Sequence, residues 1–177
     1  METTRTLVIV RHAKAEAFAP DDHARALTAR GEADARALGT ALAHQGVRPD
    51  VALVSDAART RSTWSFLRDG ARAAGVEWQA DAEFSRAVYT ADEDFLLQLV
   101  KEADPGARTL LVVGHNPTVG SLGLLLDDGE GRPDATAQMA LGFPTAGGAV
   151  FTVRQEWADL SFGTARLTYY AVGHAAT

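Results

Sequence analysis

Among the 177 residues there is no cysteine. That absence excludes disulfides, thiolate metal sites and cysteine nucleophiles, and it leaves stability to packing. A side-chain nucleophile has to be Ser, Thr, Lys, His or a carboxylate. An excess of positive charge is missing too, because 17 Lys and Arg stand against 23 Asp and Glu, a formal net charge of -6. A broad cationic face for nucleic acid or anionic lipid is therefore not expected, whereas a local cationic pocket is compatible with that balance. Long apolar runs are also lacking. The chain begins with only the short run Leu7 to Val10, too few residues for the core of an export signal and far too few for a membrane span, so a cytoplasmic protein is expected. No internal repeat is found.

What is present is an ordinary globular mixture, 46% apolar and 23% charged, of a length that suits one domain over residues 1–177. Apolar runs alternate with helical patterns, the form of βαβ units whose parallel strands are covered by helices on both faces. The expected fold class is α/β, a three-layer α/β/α sandwich with a mostly parallel central sheet and one antiparallel edge. Thr6 to Val10, Val51 to Ser55 and Thr109 to Val113 read as buried strands, and Val76 to Ala80 as a weaker one. Thr28 is placed to cap a helix running to about His44, with Gly46 as its stop, and Ser55 or Asp56 to cap the next. Thr90 to Glu93 has the form of a capping box opening a helix through Val100, and Asp104-Pro105-Gly106 ends it. Asn116 suits a cap and Pro117 a first helical position. Asp127 to Ala137, rich in Asp and Gly, reads as a mobile loop bordering the site, and Ala149 to Arg154 with Arg166 to Val172 as the antiparallel edge.

Three strand ends carry polar groups: Arg11-His12, Ser55 to Arg59, and His115-Asn116. In an open α/β sheet, ligands bind beyond the carboxyl ends of the parallel strands, so such residues converge although they are distant in sequence. Two guanidiniums, two imidazoles and helix N-termini offer donors and no carboxylate, which suits a tetrahedral phosphoryl group and poorly suits a divalent metal. No metal or other cofactor is expected. A neutral imidazole flanked by guanidiniums can attack phosphorus, and water can hydrolyse the resulting phosphohistidine. Taken singly, each feature also has a plain reading. Arg11-His12 could be a solvated strand end, Arg59 a surface partner of Asp56, and His115 part of a helix entrance. Their common placement after strands is what favours chemistry.

These residues resemble the histidine phosphatase superfamily with its phosphoglycerate mutase-like fold, and especially the small bacterial phosphohistidine phosphatase branch. Leu7 to Ala15 is similar to the family's opening strand and Arg-His motif. Asp22, Arg25, Leu27, Thr28 and Gly31 are similar to the pattern that follows it in the small branch. Ser55 to Thr63 resembles the family's Ser-Pro-Leu-x-Arg-Ala-x-Gln-Thr segment, and Leu110 to Pro117 its second histidine motif. The resemblance implies that His12 is the nucleophile and that Arg11, Arg59 and His115 hold the phosphoryl group. Asn116, Lys14 and Arg25 are further candidates for substrate binding, and Lys14, Asp22 and Arg25 are placed to shape substrate entry in competition with a solvated surface role. Two departures stand out: Asp56 replaces the usual proline and Ser62 the usual glutamine, and Asp56 is placed to pair with Arg59.

Larger relatives carry an acidic proton donor in an insertion that is short here. Glu83 is the nearest candidate, in competition with a solvated surface role. A weak acid suits a phosphoryl group on an imidazole nitrogen better than one on an alkoxide. The expected partner is thus a phosphohistidine-bearing protein or a small phosphorylated substrate, and a monomer is the default expectation. The alternatives are a small-molecule phosphomonoesterase of sugar phosphate type within the same superfamily, or a phosphate-binding module without turnover.

Overall fold

A computed structural model of the chain describes residues 4–174. The strands expected to be buried on both faces form its centre. β1 (Arg5–Arg11), β2 (Val51–Ser55) and β4 (Thr109–Gly114) join β3 (Ala82–Ser85), β5 (Gly147–Val153) and β6 (Arg166–Val172) in one six-stranded sheet of order β3-β2-β4-β1-β5-β6. The first four strands are mutually parallel; β5 runs antiparallel to β1 and β6 antiparallel to β5. Among the described residues no helix is long and apolar enough to cross a membrane.

Alternation along the strands sorts the core into two clusters, since successive side chains point to opposite faces. Val8, Val10, Leu111 and Val113 pack with Leu38 and Leu42 of α1 (Ala29–His44) and Trp64 and Leu67 of α2 (Ala58–Ala73). Leu7, Ile9, Leu110 and Val112 meet the opposite layer. It is built from α4 (Glu93–Lys101), α5 (Thr118–Leu126) and α6 (Pro133–Ala140) and includes Leu96, Leu122 and Met139. The α/β/α sandwich is as expected, and Thr28 caps α1 by accepting from the Gly31 N–H at 2.9 Å.

Five local expectations are corrected. Residues Val76 to Ala80 pair with no strand. Trp78 and Ala80 are buried there as packing residues, and the edge strand follows at Ala82–Ser85. Neither Ser55 nor Asp56 caps α2, which starts from Ala57 without a side-chain cap. The helix after Thr90 is capped by Asp92, which accepts from the Phe95 N–H, because a separate short helix α3 (Arg86–Thr90) already occupies Thr90. The next helix starts one residue later than expected, at Thr118. Finally, the Asp- and Gly-rich stretch contains the start of α6 and is tied to β6, with Arg166 Nε donating to Asp128 Oδ2 at 3.2 Å.

Candidate active site

Register brings the two histidines together. Arg11 lies opposite Gly114 at the ends of the adjacent parallel strands β1 and β4, so the next residue on each, His12 and His115, leaves the sheet side by side. Their ring centroids are 5.4 Å apart at 55°. His12 is buried, and its Nδ1–H donates to the Ala13 carbonyl at 2.7 Å, which leaves the Nε2 lone pair unshared. The Ala13 N–H donates to Thr63 Oγ1, and Thr63 Oγ1 donates in turn to the Arg59 carbonyl, fastening the exit of β1 to the first turns of α2. Ser55, ending β2, lies 2.7 Å from His115 Nε2. Ser55 Oγ also accepts from the Ala57 N–H at 3.4 Å, which holds the hydroxyl between the end of β2 and the start of α2.

The two arginines are tethered through their terminal nitrogens. Arg11 Nη1 donates to the Phe143 carbonyl at 3.1 Å. Arg59 Nη1 donates to the Asp22 carbonyl at 2.8 Å and Nη2 to Asp22 Oδ2 at 3.0 Å. What remains is distinctive. Among the described residues, the buried side-chain nitrogen or oxygen atoms without a hydrogen-bond partner are Arg11 Nε, Arg59 Nε and His115 Nδ1. A buried donor left unpaired costs free energy, on the order of 1–3 kcal/mol. Two of the three are guanidinium N–H donors, and together with the ring nitrogen of His115 beside His12 they describe a place for an acceptor-rich group.

Electrostatics keep the imidazoles neutral. Burial lowers His12 to about 4; the Ala13 carbonyl opposes this, and the charges of Arg59, Arg11 and Arg25 add to it. His115 is lowered to about 3 by burial first, then by Arg59 and His12. Asp22 is held well below the usual carboxylate range, chiefly by the Tyr89 hydroxyl donating to Oδ2 at 2.6 Å and then by Arg25 and Arg59. At neutral pH the cluster thus presents neutral imidazoles among fixed positive charges.

The structure gathers Arg11, His12, Arg59 and His115, and it places Arg25 at their edge, where Nη1 donates to Asp22 Oδ1 and Nε to the Glu16 carbonyl. Asn116 Nδ2 donates to the Phe143 carbonyl that also holds Arg11. Lys14 is drawn in only through its backbone carbonyl, which accepts from Thr28, while its side chain is exposed. Glu83 sits on edge strand β3 in a separate cleft with Leu99 and Glu102, and none of the cluster's contacts reaches it. The expected Asp56–Arg59 pair does not form. Asp56 Oδ1 instead meets His23 Nε2 at 2.7 Å, and Arg59 takes Asp22. Sequence reasoning missed Tyr89 entirely; it placed Ser55 at a converging strand end and Thr63 and Asp22 within the resembling motifs, without the contacts each of them makes.

A cleft of about 810 Å³ opens beside Arg11 and Asn116, walled by Leu141, Phe143, Tyr170 and Val172. Among the described residues no group of three or more His, Asp or Glu is placed to hold a metal ion.

Residues 7–86 match the family described as histidine phosphatase superfamily (branch 1). An uncharacterised protein of Mycobacterium tuberculosis is 34% identical over 167 residues, spanning 92% of this chain and 99% of its own length. The structure of a candidate phosphohistidine phosphatase SixA from Nakamurella multipartitia superposes with a TM-score of 0.81 at 31% identity, covering 98% of both chains. The protein histidine phosphatase SixA complexed with tungstate gives 0.70 at 25% identity over 95% of this chain and 97% of its own. Likeness of this degree runs nearly end to end in both sequence and structure, and the chain belongs to the histidine phosphatase superfamily, in its small SixA-like branch.

Proposed function

We propose that this phosphatase hydrolyses phosphohistidine, with His12 as the transiently phosphorylated nucleophile and Arg11, Arg59 and His115 holding the phosphoryl group. The observation that carries the reading is the set of three buried, unpartnered nitrogens around His12. Tetrahedral oxygens satisfy the two guanidinium donors and, in the tautomer that carries its proton on Nδ1, His115 as well, and the two guanidiniums spread the equatorial charge as the transition state forms. A similar protein histidine phosphatase, SixA, forms a complex with tungstate, a tetrahedral oxyanion, which supports an oxyanion ligand for this chain.

In the first step the Nε2 lone pair of His12 attacks phosphorus. The bond from phosphorus to the substrate's imidazole breaks, and that imidazole leaves after taking a proton from solvent. Water then attacks phosphorus in line, the bond to Nε2 breaks, orthophosphate departs and His12 returns neutral. The charge stabilisation that a metal supplies in other phosphatases falls here to Arg11 and Arg59, so a chelator leaves the rate unchanged on this reading.

The leaving group decides between substrate classes. Asp22, the carboxylate that reaches the cluster, is held ionised by Tyr89, Arg25 and Arg59 and is a poor acid. An alkoxide needs an acid, whereas an imidazole leaves once protonated, so a phosphohistidine-bearing protein is favoured over a sugar phosphate. The test is phosphate release from a phosphohistidine peptide and from a panel of phosphomonoesters, with quenched-flow capture of phosphorylated enzyme. Selective release, with the label on His12 and lost in His12→Ala, is the expected outcome. Preference for a phosphomonoester moves the assignment to metabolites, and failure to hydrolyse any of them sinks it.

A further inference from the structure

We infer that Asp22 is a positioning residue that sets the guanidinium plane of Arg59 and so aims its Nε–H at the phosphoryl group. The inference rests on the phosphoryl pocket proposed above and adds a residue to it. A long side chain at the start of α2 has many rotamers, and an edge-on contact with a phosphoryl oxygen needs one of them. Asp22 supplies that restriction with two acceptors. Its carbonyl takes Nη1 and its carboxylate Oδ2 takes Nη2, which together engage one edge of the guanidinium and leave Nε as the unpartnered donor.

The acceptors are themselves held. Tyr89 of α3 donates to Oδ2 at 2.6 Å and Arg25 to Oδ1 at 3.0 Å, so the carboxylate is fixed from both sides although half of it faces solvent. The 3₁₀ turn that carries it (Asp22–Ala24) is capped by Asp21, which accepts from the Ala24 N–H. A second clasp, His23 to Asp56 at 2.7 Å, pins the same turn to the segment just before α2. Asp56 stands where the resembling family usually has proline, and it thereby gains a use: it braces the turn that orients Arg59, on which it makes no direct contact.

Two other readings of Asp22 predict different signs. As an ordinary exposed ion pair it would matter little. As a negative charge beside an anion site it would repel phosphate, and its removal would tighten binding. Positioning predicts the reverse, loss of binding on removal, and it predicts that the loss flows through Arg59.

The experiment is a double-mutant cycle on the full chain with Asp22→Ala, Arg59→Ala and the pair. Binding of inorganic phosphate is read by calorimetry, and kcat and KM by phosphate release from a phosphohistidine peptide. Asp22→Ala should weaken phosphate binding and lower kcat/KM by about 10- to 100-fold, as expected for a misplaced contact group. Asp22→Asn, which keeps one acceptor oxygen, should fall between. In the Arg59→Ala background the same changes should shrink to less than about two-fold, because nothing is left to position. Thermal unfolding confirms that each variant folds, and if Asp22→Ala does not, Asp22→Asn in both backgrounds carries the cycle. Tighter phosphate binding, unchanged constants, or equal losses in the two backgrounds would overturn the inference. Phosphate binding needs no turnover, so a chain that hydrolyses none of the substrates still tests Asp22. Should Arg59→Ala itself leave phosphate binding untouched, the pocket reading fails first.

Discussion

Helix α2 takes part in two buried regions of opposite character. Along its middle it meets α1 so closely that a methyl added at Gly39 would lie 2.0 Å from the Leu67 carbonyl oxygen, and one added at Gly70 1.9 Å from that of Arg36. Thr40 Oγ1 donates across this contact to the Gly70 carbonyl. At its first turn the same helix buries Arg59 beside Arg11 and His115, each with a nitrogen left unpaired. The helix contact spends burial on stability, through backbone-to-backbone approach at two glycines and a hydrogen bond across it. The pocket spends stability on readiness, keeping donors and a neutral imidazole waiting for an anion, as strained or underpaired groups at active sites commonly do.

The sharpest way to break that contrast is to exchange the consequences. Arg59→Met should lower kcat/KM by about 10²- to 10³-fold, the size expected when a transition-state donor is lost. It should leave the melting temperature unchanged or raised, because a buried cation gives way to an apolar chain and Asp22 is half solvated. Gly70→Ala should do the reverse. Its Cβ confronts backbone, which has no rotamer to yield, so a cost of about 1–3 kcal/mol outweighs the roughly 1 kcal/mol of helix propensity that alanine adds. Differential scanning calorimetry and steady-state kinetics on the two variants decide the matter. A destabilised Arg59→Met with normal turnover would erase the distinction.

Acid should separate the regions next. His12 is lowered to about 4 and His115 to about 3, against an ordinary value of 6.5, so unfolded chains bind more protons than folded ones between those values. Stability therefore falls as pH drops below about 6.5 and stops falling on this account once both folded values are passed. Saturating phosphate should blunt the fall, since an anion favours the protonated imidazoles. On the proposed mechanism His12 stays unprotonated well below neutrality, so the acid limb of kcat/KM assigned to it should lie near pH 4 to 5 rather than 6.5. Denaturant unfolding and pH–rate profiles measure both, and a limb at 6.5 would show an exposed, ordinary histidine.

The contrast also explains what was legible in the sequence. Continuous apolar runs and helical stripes revealed β1, β2, β4 and α1, because burial on both faces of a sheet leaves little choice of residue. Those runs end at His12, Ser55 and His115, and the ends located the pocket. The edge strand was harder. Ala82–Ser85 alternates weakly and is partly exposed, while Val76 to Ala80, although richer in packing residues, supplies Trp78 to the core as an unpaired segment. The α6 start was masked by the Asp and Gly preceding Pro133. The long-range contacts of the 3₁₀ turn had no local trace: Arg59 finds Asp22 across 37 residues and Asp56 finds His23 across 33, so the nearer guess of Asp56 with Arg59 lost to a tertiary arrangement.

The smallest expected effect falls on that second pair. His23 and Asp56 are partly solvated, with side chains 35% and 20% exposed, so breaking the pair should cost no more than about 1 kcal/mol of stability. Asp56→Ala should nevertheless slow turnover by about two- to five-fold, because the turn that holds Asp22 loses one of its two anchors on the α2 side while Arg59 keeps the other. Asp56→Asn, which can still accept from His23, should recover most of the rate. If Asp56→Ala instead matches wild type in kcat, KM and phosphate affinity, the turn is held by the Arg59–Asp22–Tyr89 contacts alone. The line between the two regions would then run through Asp22, with everything beyond it on the ordinary solvated surface.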